Sequence, residues 1–217
     1  YLPYILLLIQ PAFMASNLVV ARGGVEHIPP ISLAFWRWFF VFLILLPFTY
    51  QTIFKNIQYL KKEYKKLFFL GVMGCGVCGA FPFMAGMTTT VANMGIIYTS
   101  SPIFIILISS YFYKERLNFV QFLGLGLCFT GVISIIAKGK IILLVDLKFT
   151  SGDLWMLGAA VGWALYAVLL LNWKSKLNLF SRLTVIAFFG AISLLPFSLI
   201  ENYFIRPVIF NGSFYFW

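Results

Sequence analysis

The chain has 217 residues, of which 62% are hydrophobic and only 10% are charged, and its mean hydropathy is +0.96. Soluble domains carry about 25% charged residues, so this composition excludes an ordinary water-exposed surface. The apolar residues come in runs of about twenty, the length that crosses a hydrocarbon core of ~30 Å at ~1.5 Å per residue. The alternation of apolar and polar residues that a transmembrane β-barrel needs is missing. The sequence therefore predicts an all-α, polytopic transmembrane helical bundle.

Seven apolar runs predict membrane spans, and in chain order they cover residues 3–21, 30–48, 67–86, 93–112, 118–137, 152–171 and 183–201. Tight loops at 87–92 and 114–117 predict that the helices on either side of each loop are antiparallel neighbours. The first span has no basic segment before it and no small-residue cleavage motif. We therefore interpret it as a retained helix and not as a signal peptide.

The basic residues predict how the bundle lies in the membrane. With a cytoplasmic N-terminus, ten Lys and Arg residues fall in cytoplasmic loops and five in outer loops, so the positive-inside rule favours this orientation. The net charge of +10 is then explained by contact with a lipid surface and requires no nucleic acid. We interpret the lysines at 55–66 as a solvated loop that contacts lipid headgroups. A lipid-specific binding patch is the alternative.

An internal repeat relates the two ends of the chain. At an offset of 149 positions, the residues LLPF at 45–48 align with LLPF at 194–197, and the first two predicted spans superpose on the last two. One repeat would contain five spans, an odd number, so the second repeat would be inverted in the membrane. Inverted repeats are characteristic of secondary transporters, whose substrate sites lie between the two units.

Several segments resemble a known family. The residues KERLNFVQFLG at 114–124, followed by Gly131 and Val132, resemble a signature of the EamA family of the drug/metabolite transporter superfamily. Four residue pairs also resemble the family's helices: Ser16 with Asn17, Trp36 with Arg37, Ala92 with Asn93 and Ser101 with Pro102. The stretches that begin at Gly152 and at Trp163 resemble the start of the family's second repeat. The resemblance covers nearly the whole chain. It implies two inverted five-helix repeats, cytoplasmic termini, and export or exchange of small metabolites such as amino acids across a bacterial inner membrane.

This resemblance also predicts the domain organisation. We interpret residues 1–138 as the first EamA repeat and residues 151–217 as a partial second repeat, with residues 214–217 opening an eighth helix. About seven helices of an expected ten would then be present, so the chain is expected to be a fragment that does not transport by itself. A homodimer is the alternative way of completing the cavity.

The fourth span carries a polar segment, Tyr98 to Pro102, near its middle. Pro102 has no N–H and clashes with the preceding turn, so the carbonyl of Tyr98 loses its helical partner. In lipid such a carbonyl is expected to face protein or a water-filled cavity. The hydroxyls of Thr99, Ser100 and Ser101 would then line a substrate path. The alternative is a kinked packing helix whose hydroxyls bond to their own backbone.

Arg37 is the only charged residue well inside a predicted span. It lies seven residues after Pro30, which places it roughly 10 Å below the outer boundary. Its side chain would lean toward the outer face, so snorkelling to the headgroups is one interpretation. The other is an anchor for a substrate carboxylate or a partner for a carbonyl at a helix end.

Further candidates extend the predicted substrate path, which also includes Asn17, Trp163 and Tyr166. Aromatic residues of this kind are more often packed in the interior than in contact with a ligand. Cys75 and Cys78 form a CxxC motif, but it lies in a glycine-rich helix, so close helix packing is expected in preference to redox or metal chemistry. Gly158 and Gly162 form a GxxxG motif that predicts packing alone.

The distribution of charged residues separates the possible function classes. The six acidic residues lie singly at helix ends or in loops, so a membrane-embedded enzyme that processes lipids is the less favoured alternative. A channel would need rings of charge or a filter loop. We predict no catalytic residue, metal site or cofactor, and we expect the partners to be the lipid bilayer and a small-molecule substrate. No Asp, Glu or His lies at the middle of a predicted span, so transport is expected to be facilitative or exchange-driven unless other helices supply a carboxylate.

Overall fold

The structure is a computed structural model that describes residues 2–114, 118–136, 150–210 and 212. Within these ranges the chain is helical and contains no strand. The helices are α1 (Leu2–Gly24), α2 (Pro30–Lys55), α3 (Ile57–Gly71), α4 (Cys78–Gly86), α5 (Val91–Thr99), α6 (Ser101–Tyr113), α7 (Phe119–Ile136), α8 (Ser151–Asn172) and α9 (Leu179–Ile200). A π-helical segment, Val72–Val77, joins α3 to α4, and another, Glu201–Ile205, follows α9.

The predicted helical membrane bundle is confirmed. Among the described residues, five helical segments are long and apolar enough to cross a membrane: Pro30–Lys55, Ile57–Gly86, Val91–Tyr113, Ser151–Asn172 and Leu179–Ile205. Helices α1 and α7 occupy the positions of the other two predicted spans. The predicted loop at 114–117 falls mostly outside the described residues, as does nearly all of the possible eighth helix at 214–217.

Local sequence explains where the helices begin. Helix α2 starts at Pro30, where a proline costs no hydrogen bond because the first-turn N–H groups have no helical partner. Helix α8 starts with a capping box in which the Asp153 carboxylate accepts a hydrogen bond from the backbone N–H of Thr150 at 2.8 Å. Helix α9 starts with Asn178, whose side-chain oxygen accepts a hydrogen bond from the N–H of Ser181 at 2.8 Å.

The lysine-rich segment at 55–66 corrects one prediction. Most of it is not a loop, because α3 begins at Ile57 and continues into the span predicted to start at residue 67. Leu60, Leu67 and Leu70 pack into the bundle at helical spacing, whereas the lysines between them are exposed. The predicted solvent exposure of these lysines is therefore confirmed, but on the polar face of an amphipathic helix.

The fourth predicted span is divided in two. Helix α5 ends at Thr99 and α6 begins at Ser101, with Pro102 in its first turn. The missing N–H of Pro102 predicts such an interruption, because no hydrogen bond can continue the helical ladder there.

Helices α2 and α9 form the central pair of the bundle. At one end the Ser198 hydroxyl donates to the Ser32 hydroxyl at 3.1 Å, and at the other end the hydroxyls of Thr49 and Thr184 lie 3.0 Å apart. The beginning of each helix thus meets the end of the other, so the pair is antiparallel.

The helix boundaries agree with the repeat offset. Pro30 and Leu179, which begin α2 and α9, are 149 positions apart. Helix α1 ends, and helix α8 begins, beside the last turn of α4. Helices α1 and α8 therefore run in opposite directions, as α2 and α9 do, which is the arrangement that inverted repeats predict. The division into repeats at 1–138 and 151–217 stays a prediction, since residues 137–149 lie outside the described ranges.

Candidate functional site

Arg37 lies inside the bundle and contacts neighbouring helices. Its Nη1 donates a hydrogen bond to the side-chain oxygen of Asn17 on α1. Its guanidinium lies between two rings, with Cζ 5.2 Å from the centroid of Trp38 and 4.9 Å from that of Phe83 on α4. Cation–π contacts of this kind attract a guanidinium to the face of an aromatic ring. Arg37 therefore does not depend on snorkelling, and of the two interpretations the structure favours the interior site.

The positive charge of Arg37 has no negative partner among the described residues. The ion pair that these residues do form is Arg22 with Glu26, at the surface. The Nε of Arg37 is buried without a hydrogen-bond partner. A charged side chain at the middle of a span costs about 2.5–3.5 kcal/mol on insertion scales, so such residues mark functional sites in membrane proteins.

A row of aromatic side chains continues from Arg37 toward α8. Tyr98 on α5 is partly buried and packs against the core cluster that contains Phe83, as Trp38 does. The ring of Tyr98 is 6.3 Å from that of Trp163, which in turn is 5.6 Å from that of Tyr166. The structure thus brings five of the predicted site residues into one group, which we call the central cluster: Asn17, Arg37, Tyr98, Trp163 and Tyr166.

The other four predicted residues do not join the central cluster. The hydroxyls of Thr99 and Ser100 donate to the backbone carbonyls of Ile96 and Ile97 at 2.7 and 2.6 Å. Thr99 and Pro102 are exposed, whereas Ser101 is buried. Of the two interpretations of this segment, the structure supports the one in which Thr99 and Ser100 bond to their own backbone.

Two residues that the sequence did not single out as site residues contact the central cluster. Trp38 and Phe83 lie against the guanidinium of Arg37. Trp38 is next to Arg37 in the sequence, and this adjacency is a signal that could have identified Trp38 as a residue of the site. Phe83 lies on another helix, and no pattern in the sequence connects it with Arg37.

Two glycines make room for the aromatic residues of this cluster. A β-carbon at Gly74 would lie 2.6 Å from the ring of Tyr166, and one at Gly79 would lie 2.6 Å from Nε1 of Trp38. These distances are far below van der Waals contact, so only glycine fits without a shift. The prediction that the glycine-rich stretch packs closely is confirmed. The GxxxG motif is likewise a packing motif, since β-carbons at Gly158 and Gly162 would meet Phe81 and Val77 at 2.9 and 2.8 Å.

Two cavities lie beside these residues. The one that we call the Arg37 cavity has a volume of about 270 Å³, and its lining is apolar apart from Arg37 itself: Val20, Leu33, Trp36, Phe40, Val41, Ile44 and Phe83. The other has a volume of about 390 Å³ and lies between α2, α4, α8 and α9, with Ser193 as the polar residue in its lining. Of these two cavities, as the described residues form them, the Arg37 cavity is the one with a charged group in its wall.

The two buried carboxylates of the described chain lie at the end of the bundle where α2 and α8 begin. Asp153 is 7% exposed and accepts a hydrogen bond from the Thr89 hydroxyl at 2.6 Å. Glu201 is 4% exposed and accepts hydrogen bonds from Ser32. Both carboxylates are therefore engaged in holding helix ends together. Within the described ranges, no three His, Cys, Asp or Glu side chains lie close enough to hold a metal ion.

The long apolar helices of the described chain are those of an integral membrane protein. Residues 2–137 match the EamA-like transporter family. An uncharacterized transporter of Archaeoglobus fulgidus is 30% identical over 212 residues, which are 96% of this chain and 70% of that protein. The chain belongs to the EamA-like transporter family, as its resemblance to this family implied.

Two relatives from Bacillus subtilis agree with this assignment. The uncharacterized transporter YyaM is 30% identical over 94% of this chain, and the uncharacterized transporter YdfC is 28% identical over 84%. The chain spans 66% and 58% of the lengths of these two relatives. No solved structure gives a significant match.

Proposed function

We propose that the protein is a secondary, non-ATP-driven transporter that exports or exchanges small metabolites such as amino acids. The observation that carries this proposal is the isolated charge of Arg37, which is bonded to the neutral Asn17 and flanked by aromatic rings inside the bundle. A structural cation within a membrane is normally paired with a carboxylate or backbone carbonyls, whereas this one faces a cavity.

Alternating access between two inverted repeats is the proposed mechanism. The opposite directions of α1 and α8, and of α2 and α9, support it. The polar contacts at the two ends of the α2–α9 pair would then open in turn: Ser32 with Ser198 at the outer end, and Thr49 with Thr184 at the cytoplasmic end.

The charge distribution supports a cytoplasmic N-terminus, and the family resemblance is the support for placing the protein in a bacterial inner membrane. The Ser175 hydroxyl donates to Glu63 at 2.7 Å, so the start of α3 and the loop between α8 and α9 lie at the same end. That end carries most of the described basic residues: Lys55, Lys61, Lys62, Lys65, Lys66, Lys174, Lys176 and Arg182. The opposite end carries the carboxylates of Glu26, Asp153 and Glu201. By the positive-inside rule the basic end is cytoplasmic.

We also propose that transport is facilitative or exchange-driven unless other helices supply a carboxylate. A proton-coupled carrier needs a carboxylate or a histidine that can bind a proton and the substrate in turn. In the described residues the two buried carboxylates instead bond to Thr89 and Ser32 at helix ends.

The excretion profile of cells that produce the full-length protein tests the proposal. We expect one solute, or a small set of related solutes, to accumulate in the medium above the level of cells that carry the empty vector. Quantitative mass spectrometry of the medium and the cells measures this change. An unchanged profile under all growth conditions tested would argue against export.

A further inference from the structure

We propose that Arg37 and Asn17 bind the carboxylate of a small monocarboxylate substrate whose apolar body occupies the Arg37 cavity. This inference rests on the proposed transport function and names the substrate class of the same site. It is carried by the charge, the donor geometry and the cavity lining around Arg37.

The charge around Arg37 matches one negative charge. In the described part of the chain no acidic side chain pairs with Arg37, and no second cation joins it in the lining of the cavity. A monoanion would neutralise this site, whereas a phosphate monoester would leave about one negative charge uncompensated inside the membrane.

The donors are held in place before a substrate arrives. Trp38 and Phe83 lie against the guanidinium, and Phe83 is only 1% exposed, so these rings restrict how Arg37 can turn. A planar guanidinium presents a fork of N–H donors that matches the two oxygens of a carboxylate. The hydrogen bond to Asn17 fixes one side of the fork, and the side-chain amide of Asn17 carries N–H donors of its own.

The cavity beside this fork suits an apolar group. Its volume of about 270 Å³ is close to the lower limit of ligand pockets, ~300–1,000 Å³, and so fits a small metabolite. Its walls include Val20, Trp36, Phe40 and Ile44, none of which can pair with a second charge. A substrate whose carboxylate binds Arg37 and whose apolar body fills the cavity would match both the charge of Arg37 and the apolar lining.

Matched pairs of an acid and its amide test the inference without altering the protein. The purified full-length protein would be heated in detergent with phenylpropionate, cinnamate, phenylpropionamide, cinnamamide or phenyl phosphate. A ligand that binds the folded state raises the melting temperature. We expect at least one of the two acids to raise it, and its amide and phenyl phosphate to have no effect.

Variants then assign the effect to Arg37. In Arg37→Gln we expect the affinity for the acid to fall about 30-fold or more, and in Arg37→Lys we expect a smaller loss because the charge remains but the planar fork does not. Arg22→Gln is the matched control, because Arg22 lies at the surface and pairs with Glu26. Its affinity should equal that of the unaltered protein.

Several results would overturn the inference. These are an equal response to acid and amide, a response to phenyl phosphate alone, no response to either acid, or full acid affinity in Arg37→Gln. Because the acid–amide comparison uses the unaltered protein, a variant that fails to fold does not weaken the test. The proposed transport function is judged separately by solute excretion, so it survives if cells still export a solute while the acids fail to bind.

Discussion

Glu201, directly after α9, caps the first turn of α2 through Ser32. Its carboxylate accepts hydrogen bonds from the backbone N–H of Ser32 at 2.7 Å, from the Ser32 hydroxyl at 3.0 Å and from the N–H of Ile31 at 3.2 Å. The N-terminus of a helix has unpaired N–H groups and a partial positive charge, so a carboxylate from another helix is favourable there. Because Pro29 supplies no side-chain cap, Glu201 takes that role and joins the start of α2 to the end of α9.

Removing this cap should destabilise the bundle. We expect Glu201→Ala to lower the free energy of unfolding by about 1–2 kcal/mol, because a lost cap leaves buried N–H groups unpaired. Thermal or denaturant unfolding in detergent measures the change. Glu26→Ala is the control at the same end, where an exposed ion pair contributes no more than about 1 kcal/mol. Equal effects of the two substitutions would contradict the capping role.

A second prediction concerns the opposite end of the α2–α9 pair. The hydroxyls of Thr49 and Thr184 lie 3.0 Å apart, and each is also within hydrogen-bonding distance of a carbonyl in its own helix. A double-mutant cycle with Thr49→Val and Thr184→Val should give a coupling energy of about 0.6 kcal/mol, the average for hydrogen bonds between membrane helices.

The matched cycle for this pair uses Thr88 and Ser151, whose hydroxyls lie 3.3 Å apart at an exposed position. We expect its coupling energy to be close to zero, since water replaces an exposed hydrogen bond. A coupling at Thr49 and Thr184 no larger than this one would show that the contact does not hold the two helices together.

A third prediction concerns the space beside Arg37. In Gly79→Ala the new β-carbon would lie 2.6 Å from Nε1 of Trp38 and 3.6 Å from Nη2 of Arg37, so the indole must move away from the guanidinium. We expect a loss of stability of about 1–3 kcal/mol, typical of overpacking, together with reduced solute flux.

The control for this steric effect is Gly124→Ala in α7. In the described structure a β-carbon at Gly124 would have no neighbour within 4 Å, so the substitution should be neutral or slightly stabilising. Normal flux and stability in Gly79→Ala would mean that the position of Trp38 does not matter for the site.

The sequence predicts the helices well because hydropathy and length are local properties. It also identifies Arg37 as exceptional and Pro102 as a point of interruption. Asn17 is among the predicted site residues, but the sequence does not reveal that it and Phe83 contact Arg37, because both come from other helices and the contacts depend on packing. The sequence places the lysine segment at 55–66 in a loop because its charge lowers mean hydropathy. The helical spacing of Leu60, Leu67 and Leu70 is the signal that would have revealed α3.

A fourth prediction concerns orientation in the membrane. Reporters fused after Lys62, Lys114 or Lys176 should lie on the cytoplasmic side of the membrane, and one fused after Ala92 should lie on the external side. Alkaline phosphatase is active outside the cytoplasm and green fluorescent protein folds inside it, so paired fusions give opposite signals. The bond between Ser175 and Glu63 requires Lys62 and Lys176 to lie on the same side. Opposite signals at these two positions would contradict the arrangement of α3, α8 and α9.

Counterflow in liposomes tests the transporter assignment most directly. Liposomes that contain the full-length protein would be loaded with an excess of an unlabelled solute found in the excretion profile and then diluted into a trace of labelled solute. An alternating-access carrier exchanges the two, so labelled solute should accumulate transiently above its external concentration without ATP or a pH gradient. Uptake no faster than into protein-free liposomes, or uptake that internal solute does not stimulate, would contradict the account.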